Sequence, residues 1–186
     1  MINYVPNKRT QPKVFTGRLS AWGDIPTIIN DIIERFEINP KRALEFGTEF
    51  GYSTSALANY FEEVTGVDIF TGDVHAGIYS NHYEYTKANM SAWPNIRLIE
   101  SDYRDFIKEN DERYDMIHID IIHTYEATFE CGEWAVNHAD VAIFHDTESF
   151  PEIKRVCQDL AIKYDLEFHN YPDSHGLGIL VKKQNK

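Results

Sequence analysis

Cysteine is nearly absent from this 186-residue chain, which holds only Cys131 and Cys157, in no spacing that suits a metal or a redox pair. A disulfide framework is therefore not expected, and a reducing, cytoplasmic setting is. No apolar run approaches the roughly 20 residues that cross a bilayer. The start, MINYVPNKRTQPKVF, lacks the continuous apolar stretch of a secretory leader. Positive charge is scarce too: 18 Lys and Arg stand against 30 Asp and Glu, for a formal net charge of −12. Such a surface repels polyanions, so nucleic acid and anionic membrane are poor partners, while a small anionic ligand in a local pocket is not excluded. Repeats, low-complexity tracts and linkers are missing as well, and the length suits one domain.

What is present is an alternation. Residues 1–18 are polar, carry Pro6 and Pro12, and read as an N-terminal arm; residues 19–186 read as a single domain with a frayed tail. Asp24 and Pro26 suit the start of a helix whose face is Ile25, Ile28, Ile29, Ile32, Ile33 and Phe36. From Arg42 onward, seven short apolar runs (RALEF, EVTGVDIF, IRLIES, YDMIHID, VAIFHD, LEFHNY, LGILVK) alternate with helix-period segments. That order predicts an α/β, Rossmann-like doubly wound sheet of seven strands, mostly parallel, with helices on both faces. The last two runs are joined only by PDSHG, too short for a crossover, so the final strand is expected to enter antiparallel.

In such a sheet ligands bind beyond the carboxyl ends of the strands, where the strand order reverses. The first of the seven runs leads directly into LEFGTEFGYSTSAL, with Gly47 and Gly51 free to turn sharply and Ser53 or Thr54 placed to cap the next helix. This is not the dinucleotide fingerprint, because Glu49 stands where the second glycine belongs and would repel a pyrophosphate. Asp68 closes the second run and Asp102 follows the third. One glycine-rich turn with an acid on each of three strands suits a nucleoside without phosphates.

With these motifs on the page, the chain resembles class I S-adenosylmethionine-dependent methyltransferases over residues 40–182. The matching residues are E-F-G-T-E-F-G at 45–51, V-D-I at 67–69, S-D at 101–102 and I-H-I-D at 117–120. The resemblance implies that Glu45 and Gly47 lie near the methionine part of the cofactor, that Asp68 holds the ribose, and that Asp102 and Tyr103 flank the adenine. Thr48, Gly51, Ser53 and Ile69 complete the implied cofactor-binding set.

HIDIIHTYE at 118–126 and FHD at 144–146 bring three histidines and two aspartates to the ends of the fourth and fifth runs. His118 lies within its strand and reads as a packed core histidine, and Glu126 as a solvated residue of a first helical turn. An alcohol is a poor nucleophile until it meets a base or a Lewis acid, which is the reason such a cluster would be wanted. Two carboxylates favour Mg²⁺, and added imidazole shifts preference toward Mn²⁺, Fe²⁺ or Zn²⁺. D-x-x-H-x-Y-E at 120–126 with F-H-D is similar to the metal-dependent small-molecule O-methyltransferases, including sugar O-methyltransferases and the cephalosporin-hydroxylase-like group. That similarity implies Asp120, His145 and Asp146 as ligands of Mg²⁺ or Mn²⁺, and His123, beside Asp120, as the catalytic base. Ile121 and Ile122 depart from it, standing where a Gly and a second Asp are usual.

The leading expectation is methyl transfer to a hydroxyl of a small molecule, a sugar among the candidates. The rival is a regulatory protein that binds the cofactor without catalysis; a nicotinamide dehydrogenase is disfavoured by Glu49. Trp22, the arm and the Tyr-rich segment holding His75 and His82 are candidate covers for the site, and a second copy of the chain could complete it.

Overall fold

The computed structural model describes residues 1–13, 20–72, 77 and 79–183. His75, the end of the expected arm and the last tail residues lie outside them. Each of the seven apolar runs forms a strand, and an eighth strand precedes them. In chain order these are β1 (Ile2–Asn3), β2 (Arg42–Phe46), β3 (Glu63–Asp68), β4 (Ile96–Glu100), β5 (Tyr114–Ile119), β6 (Ala139–His145), β7 (Leu166–Tyr171) and β8 (Leu177–Lys182). They make one sheet in the order β1-β7-β8-β6-β5-β2-β3-β4. The expected Rossmann-like α/β sheet is borne out, with β8 antiparallel to both β6 and β7 and every other pairing parallel.

The added strand comes from the segment expected to be an arm. Ile2 and Asn3 pair with His169 and Asn170 of β7, and Tyr4 behind them is 1% exposed. Two residues in a polar stretch carry no alternation to read, so this pairing is visible only in three dimensions.

Among the described residues six α-helices cover the sheet: α1 (Ile29–Arg35), α2 (Tyr52–Leu57), α3 (Tyr83–Met90), α4 (Tyr103–Glu109), α5 (Tyr125–His138) and α6 (Pro151–Lys163). The first expected helix is split into a 3-10 turn at Ile25–Thr27 and α1. Its isoleucines pack with α2 onto the face that carries Ala43, Met116 and Ile143. Leu44, Phe46, Ile117 and Phe144 point the other way, beneath α5 and α6. Strand parity thus sends odd and even residues into two separate cores.

Two expected caps are corrected. Asp24 makes no capping bond; its carboxylate accepts instead from Tyr171 and Ser174 and pairs with Arg9. Ser53 and Thr54 lie inside α2, whose N-cap is the left-handed Gly51. Asp102 does cap α4, accepting from the Arg104 N–H at 2.8 Å.

Candidate active site

The strand order reverses between β2 and β5, and the two strands leave the sheet side by side, Glu45 level with His118 and Phe46 with Ile119. The turn after β2 lies directly against the end of β5. Gly47 has φ 90°, and a Cβ there would overlap the Asp120 carbonyl oxygen; only glycine permits both the conformation and the approach. Gly51, at φ 81°, leaves room for the Met90 side chain in the same way. Asp68 ties this turn to β3: one carboxylate oxygen accepts from the Glu49 N–H and the other from the Phe70 N–H, each at 2.7 Å. Burial raises the Asp68 pKa, and these two backbone donors oppose the rise.

The residues expected around a cofactor divide into two groups. Gly47, Asp68, Ile69 and Asp102 reach the open end of the sheet, with Ile69 44% exposed. Glu45, Thr48, Gly51, Ser53 and Tyr103 are buried. The Glu45 carboxylate accepts from the Thr54 hydroxyl and lies 2.8 Å from Nδ1 of His118. Thr48 is packed over Gly66 of β3. The Tyr103 hydroxyl donates to Glu130 at 2.9 Å. His118 is fully buried, as expected for a core histidine, with its ring edge-on to Trp22 at 4.7 Å.

Beside this turn the ends of β5 and β6 converge. His123, expected to open the next helix, stands just ahead of it, because Thr124 is the N-cap of α5. Its ring lies flat on Phe150, with centroids 4.2 Å apart and planes 8° apart. Nε2 is then 2.8 Å from Asp146 Oδ2 and 3.4 Å from Asp120 Oδ1. Asp146 leaves β6 in the left-handed region at φ 66°, an uncommon conformation for a non-glycine residue and one that turns its carboxylate toward His123. His145 points Nδ1 at Asp120, 3.1 Å away, and donates from Nε2 to the Ser174 carbonyl at 3.2 Å.

Burial disfavours charge on each of these groups, but mutual contact outweighs it. Hydrogen bonds with Asp120 and Asp146 raise His123 to about 9. The charge of Asp120 raises His145. Asp120 is held well below the usual carboxylate range, chiefly by the charge of His145 and by hydrogen bonds from both imidazoles.

Asp120, His123 and Asp146 offer one ligand atom each, all within 4.8 Å of one another. Two carboxylates and an imidazole in that arrangement fit a divalent cation. This grouping holds the expected Asp120 and Asp146 together with His123, while His145, also expected as a ligand, points Nδ1 at Asp120 and Nε2 at the Ser174 carbonyl. Phe150, Ser174 and Thr54 were not legible as site residues, because each is joined to its partner through the fold rather than through a motif. A separate groove of about 460 Å³ lies at the amino ends of the strands, where its Arg42 is paired with Glu112 and Glu63.

Residues 44–147 match the family model described as a methyltransferase domain. No curated protein matches the chain in sequence. Among solved structures, the O-methyltransferase NovP is similar at 13% identity and TM-score 0.68, over 86% of this chain and 78% of its own. CalS10, an amino pentose methyltransferase from Micromonospora echinaspora solved with S-adenosylmethionine, is similar at 13% identity and TM-score 0.64, over 90% and 93%. TomG, an O-methyltransferase from Streptomyces achromogenes, is similar at 15% identity and TM-score 0.57, over 82% and 77%. These likenesses establish the fold, and the family match covers more than half of the chain, including the glycine turn and the His–Asp cluster. The chain belongs to the methyltransferase-domain family.

Proposed function

We propose that the chain transfers the methyl group of S-adenosylmethionine to a hydroxyl of a small molecule, with the neutral form of His123, which its raised pKa confines largely to alkaline pH, as the proton acceptor. The observation that carries this reading is the seat of His123. Its Nε2 is held by Asp146 and Asp120, and Asp120 is the residue whose carbonyl the glycine turn touches. A base and two acids therefore stand next to the turn expected to hold the methyl donor. The open residues Gly47, Asp68, Ile69 and Asp102 would contact the cofactor, and the buried Gly51 would set the turn between them. The buried Glu45, Thr48, Ser53 and Tyr103 would shape its seat. Asp120 and Asp146 orient His123, and Phe150 holds its ring in plane. In-line approach of the hydroxyl to the methyl supplies much of the rate through positioning.

In a second arrangement Asp120, His123 and Asp146 would hold Mg²⁺ or Mn²⁺; the cation would then take the place of the proton on His123 and itself lower the pKa of the acceptor hydroxyl, so that His123 serves as the proton acceptor in the metal-free form. His145, turned to Ser174, keeps Asp120 ionised in either case. The sugar acceptors suggested by sequence, and the amino pentose named for CalS10, belong to the range of hydroxylated small molecules to be tried. The reading carries a cytoplasmic location and a second copy of the chain closing the site. Support comes from two buried free cysteines and the absence, among the described residues, of a helix long and apolar enough to cross a membrane.

The test is release of S-adenosylhomocysteine with a panel of hydroxylated acceptors, alongside calorimetry with both forms of the cofactor. His123→Ala is expected to lower kcat by roughly 10²–10⁴-fold with cofactor affinity kept. Binding of the cofactor with no turnover on any acceptor would favour the non-catalytic rival. Mn²⁺ is expected to raise Tm in the native chain and not in Asp146→Asn.

A further inference from the structure

Residues 20–24 reach the His–Asp cluster from outside the sheet. Trp22 is 1% exposed and lies edge-on to His118 at 4.7 Å and to His145 at 6.4 Å. Two residues on, Asp24 clips Ser174 at two points. Its Oδ1 accepts from the Ser174 hydroxyl at 2.5 Å, and its N–H donates to the same hydroxyl oxygen at 3.1 Å. Gly23 brings the chain so close that a Cβ there would meet Ser174 Oγ at 2.5 Å. The second carboxylate oxygen of Asp24 accepts from Tyr171 and Arg9, which fixes the plane of the group.

Ser174 needs such a clip. Ser174, His175 and Gly176 stand in the left-handed region in succession, at φ 52°, 66° and 92°, and this costs free energy at the two that carry side chains. In that turn Ser174 presents its carbonyl to Nε2 of His145 at 3.2 Å. A carbonyl only accepts, so Nε2 carries a proton, and the ring is aimed by where that carbonyl lies. Aimed so, Nδ1 meets Asp120 Oδ2 at 3.1 Å, and the other oxygen of Asp120 lies 3.4 Å from Nε2 of His123. The Asp24 side chain is 41% exposed, so its ion pair with Arg9 adds little. Its directional bonds to Ser174 are what set position.

We infer that Asp24 is a positioning residue for methyl transfer. By clipping Ser174 it fixes the carbonyl that orients His145, and His145 in turn sets the Asp120 carboxylate beside His123. Asp24 acts through these residues and not on the reacting atoms. The inference rests on the methyltransferase reading of the same site.

Asp24→Ala is expected to lower kcat roughly 10–100-fold, with KM for S-adenosylmethionine within about twofold of native. The acceptor for this measurement is the member of the hydroxylated panel that the native chain turns over fastest. Asp24→Asn keeps an oxygen for the Ser174 hydroxyl and should restore most of kcat, which separates position from charge. Ser174→Ala removes the clip from the other side and should match Asp24→Ala, with the double variant no worse than either. Tyr4→Phe, which loosens the N-terminal segment at Asp31 instead, should lower Tm and leave kcat. In ¹⁵N-histidine spectra at one fixed pH, the His145 ring signals should move in Asp24→Ala and hold in Tyr4→Phe. Native kcat in Asp24→Ala, unmoved His145 signals, or an equal loss of kcat in Tyr4→Phe would each overturn the inference. A native chain that binds neither cofactor form, or turns over no acceptor, would instead remove the methyltransferase reading, and the role of Asp24 with it.

Discussion

Gly47 shows how one residue joins two parts of the site. Its backbone lies where any side chain would strike the carbonyl of Asp120, and its φ of 90° is closed to most L-residues. The glycine turn and the His–Asp cluster are therefore one packed unit. Gly47→Ala is expected to cost about 2 kcal/mol or more in stability and to depress both cofactor affinity and turnover. Thermal denaturation and calorimetry with S-adenosylhomocysteine would show it; a variant with native Tm and native affinity would mean the two parts are independent. The glycine was legible from sequence, since two glycines after a strand announce a tight turn. Its contact with Asp120, 73 residues later in the chain, was not. The Glu45–His118 pair has the same character: each residue could be placed at a strand end, but not opposite the other.

At the level of elements, helix and strand order was readable because period 2 and period 3.6 alternate cleanly from Arg42 onward. The N-terminal segment was not readable, because polar side chains rather than an apolar face hold it. Asp31 of α1 is 4% exposed and gathers that segment. It accepts from the Tyr4 hydroxyl at 2.5 Å and from the Asn7 and Lys8 N–H groups at 3.0 Å, and pairs with Arg35 at 3.0 Å. Removing an acid so placed leaves several donors unpaired in the interior. Asp31→Ala is expected to destabilise the fold by roughly 2–3 kcal/mol, which for a chain of this size lowers Tm by about 5–10 °C. Tyr4→Phe should show a fraction of that loss. An unchanged Tm in Asp31→Ala would mean that β1 and Tyr4 add little to the sheet they touch.

For the whole molecule, the cluster at the ends of β5 and β6 ties folding to pH. His123 is raised to about 9 in the folded chain against an ordinary value of 6.5. The folded state thus keeps a proton that the unfolded chain releases earlier. Its stabilising contribution is full below about pH 6.5 and is lost as pH rises toward 9. Asp120 works in the opposite direction: its depressed pKa stabilises the fold above the ordinary carboxylate range, and that contribution fades as pH falls through the folded value. Together they place greatest stability on the mildly acid side of neutrality, with a decline toward alkaline pH that the chain's net charge of −12 reinforces. Tm measured from pH 5.5 to 9 should fall across the upper half of that range in the native chain. In His123→Gln the fall should be clearly shallower, with a residual slope from His145, whose pKa is raised by the charge of Asp120. Equal slopes in the two proteins would mean that His123 is not held between Asp120 and Asp146 in solution, and the proton acceptor would have to be sought elsewhere.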